Sequence, residues 1–159
     1  EVEDQISFAR YMASQSYVDA DRIGIYGWSY GGFMALGCAL KGDGLFKMSI
    51  AVAPVTSWRY YDTVYTERFM RTPKENPEGY DCSPISRAKN LSGSLLIIHG
   101  SADDNVHYRN VAEYTEALVH ADKDFRQLTY TNRNHSIYGG NTRNHLYRQL
   151  VNHFKQSMK

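Results

Sequence analysis

The sequence contains little cysteine and little proline. Cys38 and Cys82 are its two cysteines, and they lack the Cys-x-x-Cys spacing of a zinc site, so a metal centre is not expected. Two reduced, mostly buried thiols are the favoured interpretation, and one disulfide between them is the alternative. No hydrophobic run approaches the roughly 20 residues that a bilayer-crossing helix needs, so no membrane segment is expected.

An excess of charge of one sign is lacking as well. The 18 Lys and Arg residues and the 17 Asp and Glu residues are interspersed and give a formal net charge of +1. This balance argues against a nucleic acid or an acidic membrane as a partner. The 159 residues suffice for one globular domain or a large piece of one. Because the chain begins with Glu-Val-Glu-Asp-Gln rather than Met, we expect it to be part of a longer protein.

Strand and helix patterns alternate along the chain. Short apolar runs predict strands over residues 23–26, 48–53, 95–98 and 127–130. Apolar residues at helical spacing predict helices over 2–15, 31–41 and 108–121, and another near the end of the chain. The segment 55–92 contains three prolines and is expected to be irregular. This order predicts an α/β fold, a mostly parallel sheet with helices on both faces, in which catalytic groups lie just beyond the carboxyl ends of the strands.

One motif indicates a nucleophile. Gly27-Trp28-Ser29-Tyr30-Gly31 matches Gly-x-Ser-x-Gly, the turn that presents a reactive serine between a strand and a helix. Such a turn has a strained backbone, and the flanking glycines are expected to remove clashes that a Cβ atom would cause. The backbone amide of Tyr30 would then serve as an oxyanion donor. A chance match is the alternative, but the apolar strand before the motif and the small-residue helix after it favour the functional interpretation.

A nucleophilic serine needs a base and an acid that orients the base. In this type of sheet they follow the serine in the order acid, then His. The segment His99-Gly-Ser-Ala-Asp103 comes directly after the strongest predicted strand, so Asp103 is the candidate acid. Asp104 is the neighbouring alternative. It is farther from the strand, and it suits the N-cap of the helix predicted to begin near Tyr108 better.

Of the six His residues, His135 has the position expected of the base. It lies in a polar loop after the last predicted strand and before the closing helix. The others fall on predicted helices, where exposed positions are expected, or flank the acid too closely to follow it. The helical ones are His120, His145 and His153, and the flanking ones are His99 and His107.

Three aromatic residues form a candidate binding surface. Trp58, Tyr61 and Tyr65 are spaced i, i+3 and i+7 and would share one face of a helical turn. Core packing is the ordinary explanation of such a face. Because it follows the strand next to the candidate serine strand, it is also placed to receive a substrate side chain. Flat, uncharged walls favour a small ring such as proline over Lys or Arg.

Four segments together resemble the prolyl oligopeptidase family of serine peptidases, in particular its dipeptidyl peptidases. They are Gly-Trp-Ser-Tyr-Gly-Gly, Ala-Val-Ala-Pro-Val, Tyr-Tyr-Asp-x-Val-Tyr-Thr-Glu-Arg and His-Gly-Ser-Ala-Asp-Asp-Asn-Val-His. The resemblance covers essentially the whole chain. It implies an α/β-hydrolase fold with Ser29 as nucleophile, Asp103 as acid and His135 as base, and an enzyme that needs no metal or organic cofactor.

The resemblance also implies a substrate and a binding site. Members of this type release a dipeptide from the amino terminus of peptides that have Pro or Ala in the second position. Asn105 would contact the substrate backbone. The proline pocket would consist of Tyr30, Val55, Trp58, Tyr61, Tyr65 and Val106. Other peptidases of the family (an oligopeptidase, an acylaminoacyl peptidase or a tripeptidyl peptidase) and a non-catalytic folding or dimerisation fragment are the alternatives.

Parts of such an enzyme would lie outside this chain. Residues 1–159 are expected to be the C-terminal part of a single α/β-hydrolase peptidase domain. The resemblance implies that the first strands, a Tyr hydroxyl of the oxyanion hole and a β-propeller that holds the substrate amine lie upstream. Relatives of this type work outside the cytoplasm. Asn134-His135-Ser136 matches the N-glycosylation acceptor sequence, and a glycan there would crowd His135, so a bacterial periplasm is the expected location. A homodimer is compatible with these expectations.

Overall fold

The computed structural model describes all residues from 1 to 159. Its helices and strands are α1 (Val2–Ala13), β1 (Gly24–Trp28), α2 (Tyr30–Lys41), β2 (Met48–Val52), α3 (Thr63–Met70), α4 (Pro77–Asp81), β3 (Ser94–Gly100), α5 (Arg109–His120), β4 (Arg126–Tyr130) and α6 (Thr142–Ser157). Short 3₁₀ turns cover Ala20–Arg22, Trp58–Tyr60 and Ile85–Asn90. None of the helices is at once long enough and apolar enough to cross a lipid bilayer.

The four strands form one parallel sheet in which spatial order follows chain order, β1-β2-β3-β4. Gly24 pairs with Met48, Met48 pairs with Ser94, and Leu96 pairs with Arg126 at the start of the three ladders. Because all strands run in the same direction, their carboxyl ends lie along one edge of the sheet. The predicted α/β fold with a parallel sheet is confirmed.

Helices cover both faces of this sheet. Alternate strand residues point to opposite faces, so Ala51 and Ile97 pack under α2 and α5, whereas Ile50 and Ile98 pack under α6. α1 adds a further layer, burying its apolar stripe against α2. The central strands β2 and β3 are almost completely buried, as strands covered on both faces must be. β1 forms one edge of the sheet, where the Tyr26 side chain is 48% exposed.

The segment 55–92 differs from the expectation of irregular structure. It contains α3, α4 and two of the 3₁₀ turns, because local caps start short helices between the prolines. The Asp62 side chain accepts a hydrogen bond from the Tyr65 amide at the start of α3. The Asn76 side chain does the same for Gly79 in α4, which has Pro77 in its first turn, where a missing N–H costs nothing.

The two cysteines are both free thiols. Cys38 is buried between α1 and α2, as expected. Cys82 is exposed, so the prediction that both thiols are mostly buried is wrong for this residue. It follows α4 at the surface, outside the two layers of helices that cover the sheet.

Candidate active site

Three residues that are far apart in sequence meet at the carboxyl edge of the sheet. Ser29 follows β1, Asp103 follows β3, and His135 follows β4. His135 Nε2 lies 2.8 Å from Ser29 Oγ, and His135 Nδ1 lies 2.7 Å from Asp103 Oδ2. The carboxylate is fully buried, and the imidazole is 21% exposed. This arrangement can move a proton from the serine hydroxyl to the imidazole while the carboxylate orients the ring.

The turn at Ser29 has the strained backbone that the motif predicts. Ser29 has φ 60° and ψ −117°, a region that residues with a Cβ atom rarely adopt. Its amide donates to the Val52 carbonyl over 2.8 Å, which ties the turn to β2. A Cβ atom on Gly27 would lie 1.8 Å from the Gly31 carbonyl oxygen, so glycine is required there. A Cβ atom on Gly31 would meet nothing within 4 Å, so the expected steric reason applies only to Gly27.

The backbone amide of Tyr30 is placed as an oxyanion donor. Tyr30 is the first residue of α2, and the first amides of a helix have no acceptor within the helix. The first intrahelical acceptor is the Ser29 carbonyl, which receives the Phe33 amide over 3.0 Å. The partial positive charge of the helix N-terminus adds to the attraction for an anion beside Ser29.

The acid is held by the loop that follows β3. Asp103 Oδ1 accepts hydrogen bonds from the amides of Asn105 and Val106, at 3.0 and 2.9 Å. Burial raises the pKa of Asp103, but hydrogen bonds from His135, His99 and the Asn105 amide outweigh burial and hold that pKa well below its usual range. The side chain is therefore a carboxylate at neutral pH.

Asp104, the alternative acid, points elsewhere. Its side chain is exposed and borders a polar cleft that also includes His107 and Arg109. The expectation that it caps the following helix is wrong. α5 begins at Arg109 after Tyr108, and no side chain caps it, because four further loop residues separate Asp104 from the helix.

Hydrogen bonds from three residues hold the loop that contains His135. Trp28 Nε1 donates to the His135 carbonyl over 3.0 Å, and Arg143 Nη2 donates to the Ser136 carbonyl over 2.8 Å. The Ala102 amide donates to the Arg133 carbonyl over 3.1 Å, which joins this loop to the acid loop. These bonds set the imidazole between the serine and the carboxylate before any substrate binds.

The aromatic residues gather around Trp58. Its ring centroid lies 6.0 Å from Tyr30, 5.9 Å from Tyr61 and 6.0 Å from Tyr65. The expectation that Trp58, Tyr61 and Tyr65 share one helix is wrong: Trp58 lies in a 3₁₀ turn, Tyr61 follows that turn, and Tyr65 lies in α3. The rings meet because the chain bends between these elements.

The remaining predicted binding residues border the same cluster. Val55 and Val106 are buried against Trp58, with Tyr61 packed on them. The Tyr61 hydroxyl donates to Asn105 Oδ1 over 2.8 Å. The structure thus brings all the site residues inferred from sequence to one edge of the sheet. Their catalytic and binding roles remain predictions.

Some residues near the site were not anticipated from sequence. Phe33 lies 5.2 Å from Trp58, and Phe69 lies 5.0 Å from Tyr65, between ring centroids. His99 Nε2 lies 3.3 Å from Asp103 Oδ2, the oxygen that also contacts His135. Its position four residues before Asp103 was the available signal.

Away from the site, His153 is buried rather than exposed, because its face of α6 turns toward β3, where Nε2 lies 3.4 Å from Ser94 Oγ.

No group of three or more His, Cys, Asp or Glu side chains is arranged to hold a metal ion. The groups that can stabilise charge at the site are the Tyr30 amide and the imidazole–carboxylate pair.

Comparison with known proteins agrees with this geometry. The model of the prolyl oligopeptidase family matches residues 1–159. The chain belongs to the prolyl oligopeptidase family. Its α/β architecture is correspondingly that of an α/β hydrolase.

Several members of the family are similar to this chain over 98% of its length. It is 47% identical to human prolyl endopeptidase FAP and 46% identical to feline dipeptidyl peptidase 4, and covers 21% of each. The crystal structure of Porphyromonas gingivalis dipeptidyl peptidase 4 superimposes with a TM-score of 0.97 at 54% identity, with 22% of that chain covered. A putative dipeptidyl aminopeptidase IV from Bacteroides ovatus gives 0.94 at 36% identity. The chain therefore spans about a fifth of the length of these relatives.

Proposed function

We propose that this chain carries the catalytic centre of a serine peptidase that releases dipeptides from peptides with Pro or Ala in the second position. The observation that carries the proposal is the hydrogen-bonded series Ser29–His135–Asp103 beside a cluster of aromatic rings. Relatives named dipeptidyl peptidase 4 support the choice of reaction.

In the first half of the reaction, Ser29 Oγ bonds to the carbonyl carbon of the scissile peptide. His135 Nε2, 2.8 Å away, accepts the hydroxyl proton. Asp103 keeps a hydrogen on Nδ1 and stabilises the imidazolium that forms. The Tyr30 amide donates to the carbonyl oxygen as it becomes negative. The C–N bond then breaks, and the leaving amine takes the proton from Nε2, which leaves an acyl-enzyme.

In the second half, water replaces the amine. His135 removes a proton from the water as its oxygen bonds to the acyl carbon, and returns that proton to Ser29 Oγ when the ester bond breaks. The dipeptide leaves with a free carboxylate. Each half uses the same three side chains, so the geometry in the structure serves both.

Preference for proline follows from the ring cluster. Trp58, Tyr61 and Tyr65 present flat apolar surfaces with centroids 5.4 to 6.0 Å apart, which suits a compact ring better than the long charged side chain of Lys or Arg. The Asn105 side chain is held by the Tyr61 hydroxyl, which leaves its amide nitrogen free to donate to a substrate carbonyl.

We further propose that the chain is the C-terminal part of a larger hydrolase domain. The half-exposed edge strand β1 supports an upstream strand as its missing neighbour, because an unpaired edge is exposed to unwanted pairing. Residues 1–159 alone should then cleave Gly-Pro-p-nitroanilide far more slowly than the full-length protein. The family resemblance implies that one oxyanion donor, a Tyr hydroxyl, lies upstream of these residues. Loss of one such donor alone costs about 10²–10³ in kcat. Comparable kcat/KM for the two would contradict this part of the proposal.

The proposed reaction is tested in the full-length protein with Ser29→Ala. Turnover of Gly-Pro and Ala-Pro reporters should fall by a factor on the order of 10⁶, and labelling by a fluorophosphonate should disappear. Persistent labelling would place the nucleophile elsewhere. Equal rates on reporters that end in Arg or Phe would contradict the proposed proline pocket. Preference for amino-blocked peptides would favour an oligopeptidase.

Location outside the cytoplasm, in a bacterial periplasm, is also part of the proposal. It rests on the Asn134-His135-Ser136 acceptor sequence beside the base and on the resemblance to extracytoplasmic relatives. Fractionation of the source cells tests it, and peptidase activity confined to the cytoplasm would contradict it.

A further inference from the structure

His99 is a buried polar residue that the proposed reaction does not use. It lies on β3, opposite Thr129 of β4, and is 0% exposed. Its Nε2 atom lies 2.8 Å from the Val106 carbonyl oxygen and 3.3 Å from Asp103 Oδ2. The ring also meets Tyr108 edge-on at 5.7 Å. His99 is therefore held in one orientation beside the acid.

The contacts locate the ring hydrogen of His99. A backbone carbonyl can only accept, so Nε2 must carry the hydrogen: it donates to the Val106 carbonyl over 2.8 Å and has Asp103 Oδ2 as a second neighbour at 3.3 Å. Nδ1 is buried without a hydrogen-bond partner, and a hydrogen there would have no acceptor. His99 thus presents a donor, not an acceptor, to the carboxylate.

Every contact of the Asp103 carboxylate then has a defined partner. Oδ1 accepts from the amides of Asn105 and Val106, and Oδ2 accepts from His135 at 2.7 Å. His99 Nε2 lies 3.3 Å from Oδ2 as a second, longer contact. The two backbone amides anchor the Oδ1 side of the carboxylate, and on the Oδ2 side the contacts are with His135 and His99. The donor on His99 is the group that holds Oδ2 in line with His135.

We propose that His99 is a positioning residue for the acid: its Nε2–H holds Asp103 Oδ2 where it orients His135. This inference rests on the proposed peptidase function. His99 does not contact the reacting atoms and acts through Asp103. If His99 were purely structural, it would act through its hydrogen bond to the Val106 carbonyl. Its substitution would then change substrate binding and stability rather than the chemical step.

Two amide substitutions separate these roles in the full-length protein. In His99→Gln the amide nitrogen reaches the position of Nε2, whereas in His99→Asn it reaches only the position of Nδ1. With Gly-Pro-p-nitroanilide, kcat of His99→Asn should fall roughly tenfold to a hundredfold, the range for a lost hydrogen bond to a charged group, with little change in KM. His99→Gln should recover most of that loss. His120→Gln, at an exposed position on α5, is the matched control.

A double-substitution cycle tests the route of the effect. If His99 acts through Asp103, His99→Asn should cause no further loss of activity in an Asp103→Asn background. The rate of fluorophosphonate labelling reports the reactivity of Ser29 without a peptide substrate. Thermal unfolding is measured for each variant, and His99→Phe replaces His99→Asn if the latter does not fold.

Several outcomes would overturn the inference. They are a folded His99→Asn enzyme with unchanged kcat, a loss in His99→Gln as large as in His99→Asn, or an undiminished loss in the Asp103→Asn background. A raised KM with unchanged kcat would assign His99 to pocket support. A parent protein that neither cleaves the reporter nor reacts with the fluorophosphonate would instead refute the proposed function itself, and this inference with it.

Discussion

Replacing Asp103 with Asn should disable the base by reversing the hydrogen bond between the two residues. Asp103 Oδ1 accepts from two backbone amides, so the carbonyl oxygen of an Asn side chain must take that position. Its NH₂ group then faces His135 Nδ1, which lies 2.7 Å from Oδ2 in the parent. Because NH₂ can only donate, Nδ1 must accept and the ring hydrogen moves to Nε2. Nε2 can then no longer take the proton of Ser29.

The expected loss is large and specific to the chemical step. A wrong imidazole tautomer costs on the order of 10⁴ in kcat, which at 1.36 kcal/mol per tenfold change is about 5.4 kcal/mol of transition-state stabilisation. The folded structure should survive, because both backbone amides keep an acceptor and the Nε2–H of His99 keeps the Val106 carbonyl as its acceptor. Steady-state kinetics with Gly-Pro-p-nitroanilide and thermal unfolding of the full-length protein measure the two effects.

Asp104→Asn is the matched control, with the same chemical change one residue away on an exposed side chain. It should leave kcat within about threefold of the parent, as expected of a surface charge with no partner in the site. If Asp104→Asn were the more damaging substitution, or if Asp103→Asn kept substantial activity while folded, the assignment of the acid would be wrong.

Further predictions concern the turn, the pocket and acid stability. Ser29→Gly should be more stable than Ser29→Ala by about 1 kcal/mol in urea unfolding, because glycine relieves the positive φ at some cost in chain entropy; equal stability would mean that the turn is not strained. Tyr61→Phe keeps the ring but removes the hydroxyl bonded to Asn105, so kcat/KM should fall about two- to tenfold, and an unchanged value would show that this bond does not contribute. Burial lowers the pKa of His153 below its ordinary value of 6.5, so the unfolded chain binds a proton that the folded chain resists, and stability should fall as the pH drops below about 6.5. His153→Gln should lose less stability than the parent between about pH 7 and pH 5, and parallel curves for the two would contradict this reasoning.

Much of the fold could be predicted because its signals are local. The apolar run 95–98 marked the centre of β3, which extends from Ser94 to Gly100. Helical spacing placed α5 within a residue at each end. In a parallel sheet the ends of such strands must converge, so the loops that hold Ser29, Asp103 and His135 could be identified before any contact was known.

The wrong predictions concern features that the spacing of residues along the chain does not determine. The spacing of Trp58, Tyr61 and Tyr65 matched that of a helix. In the structure they lie in three different segments, and a bend of the chain between these segments brings their rings together. His153 looked like a surface residue because a helical pattern does not say how far its faces are covered by other elements.

The sequence by itself determined the order of the four strands and of the helices α1, α2, α5 and α6, the strained turn at Ser29 and the identity of the chemical groups. These depend on backbone preferences and side-chain spacing within a few residues. Only the tertiary structure decided that Asp103 faces His135 while Asp104 faces solvent, and that His99 lies beside the acid. Such contacts depend on strand register and on which helix covers which face. They are set by the packing of segments far apart in the chain, since a difference of one residue in a loop reverses the direction of a side chain.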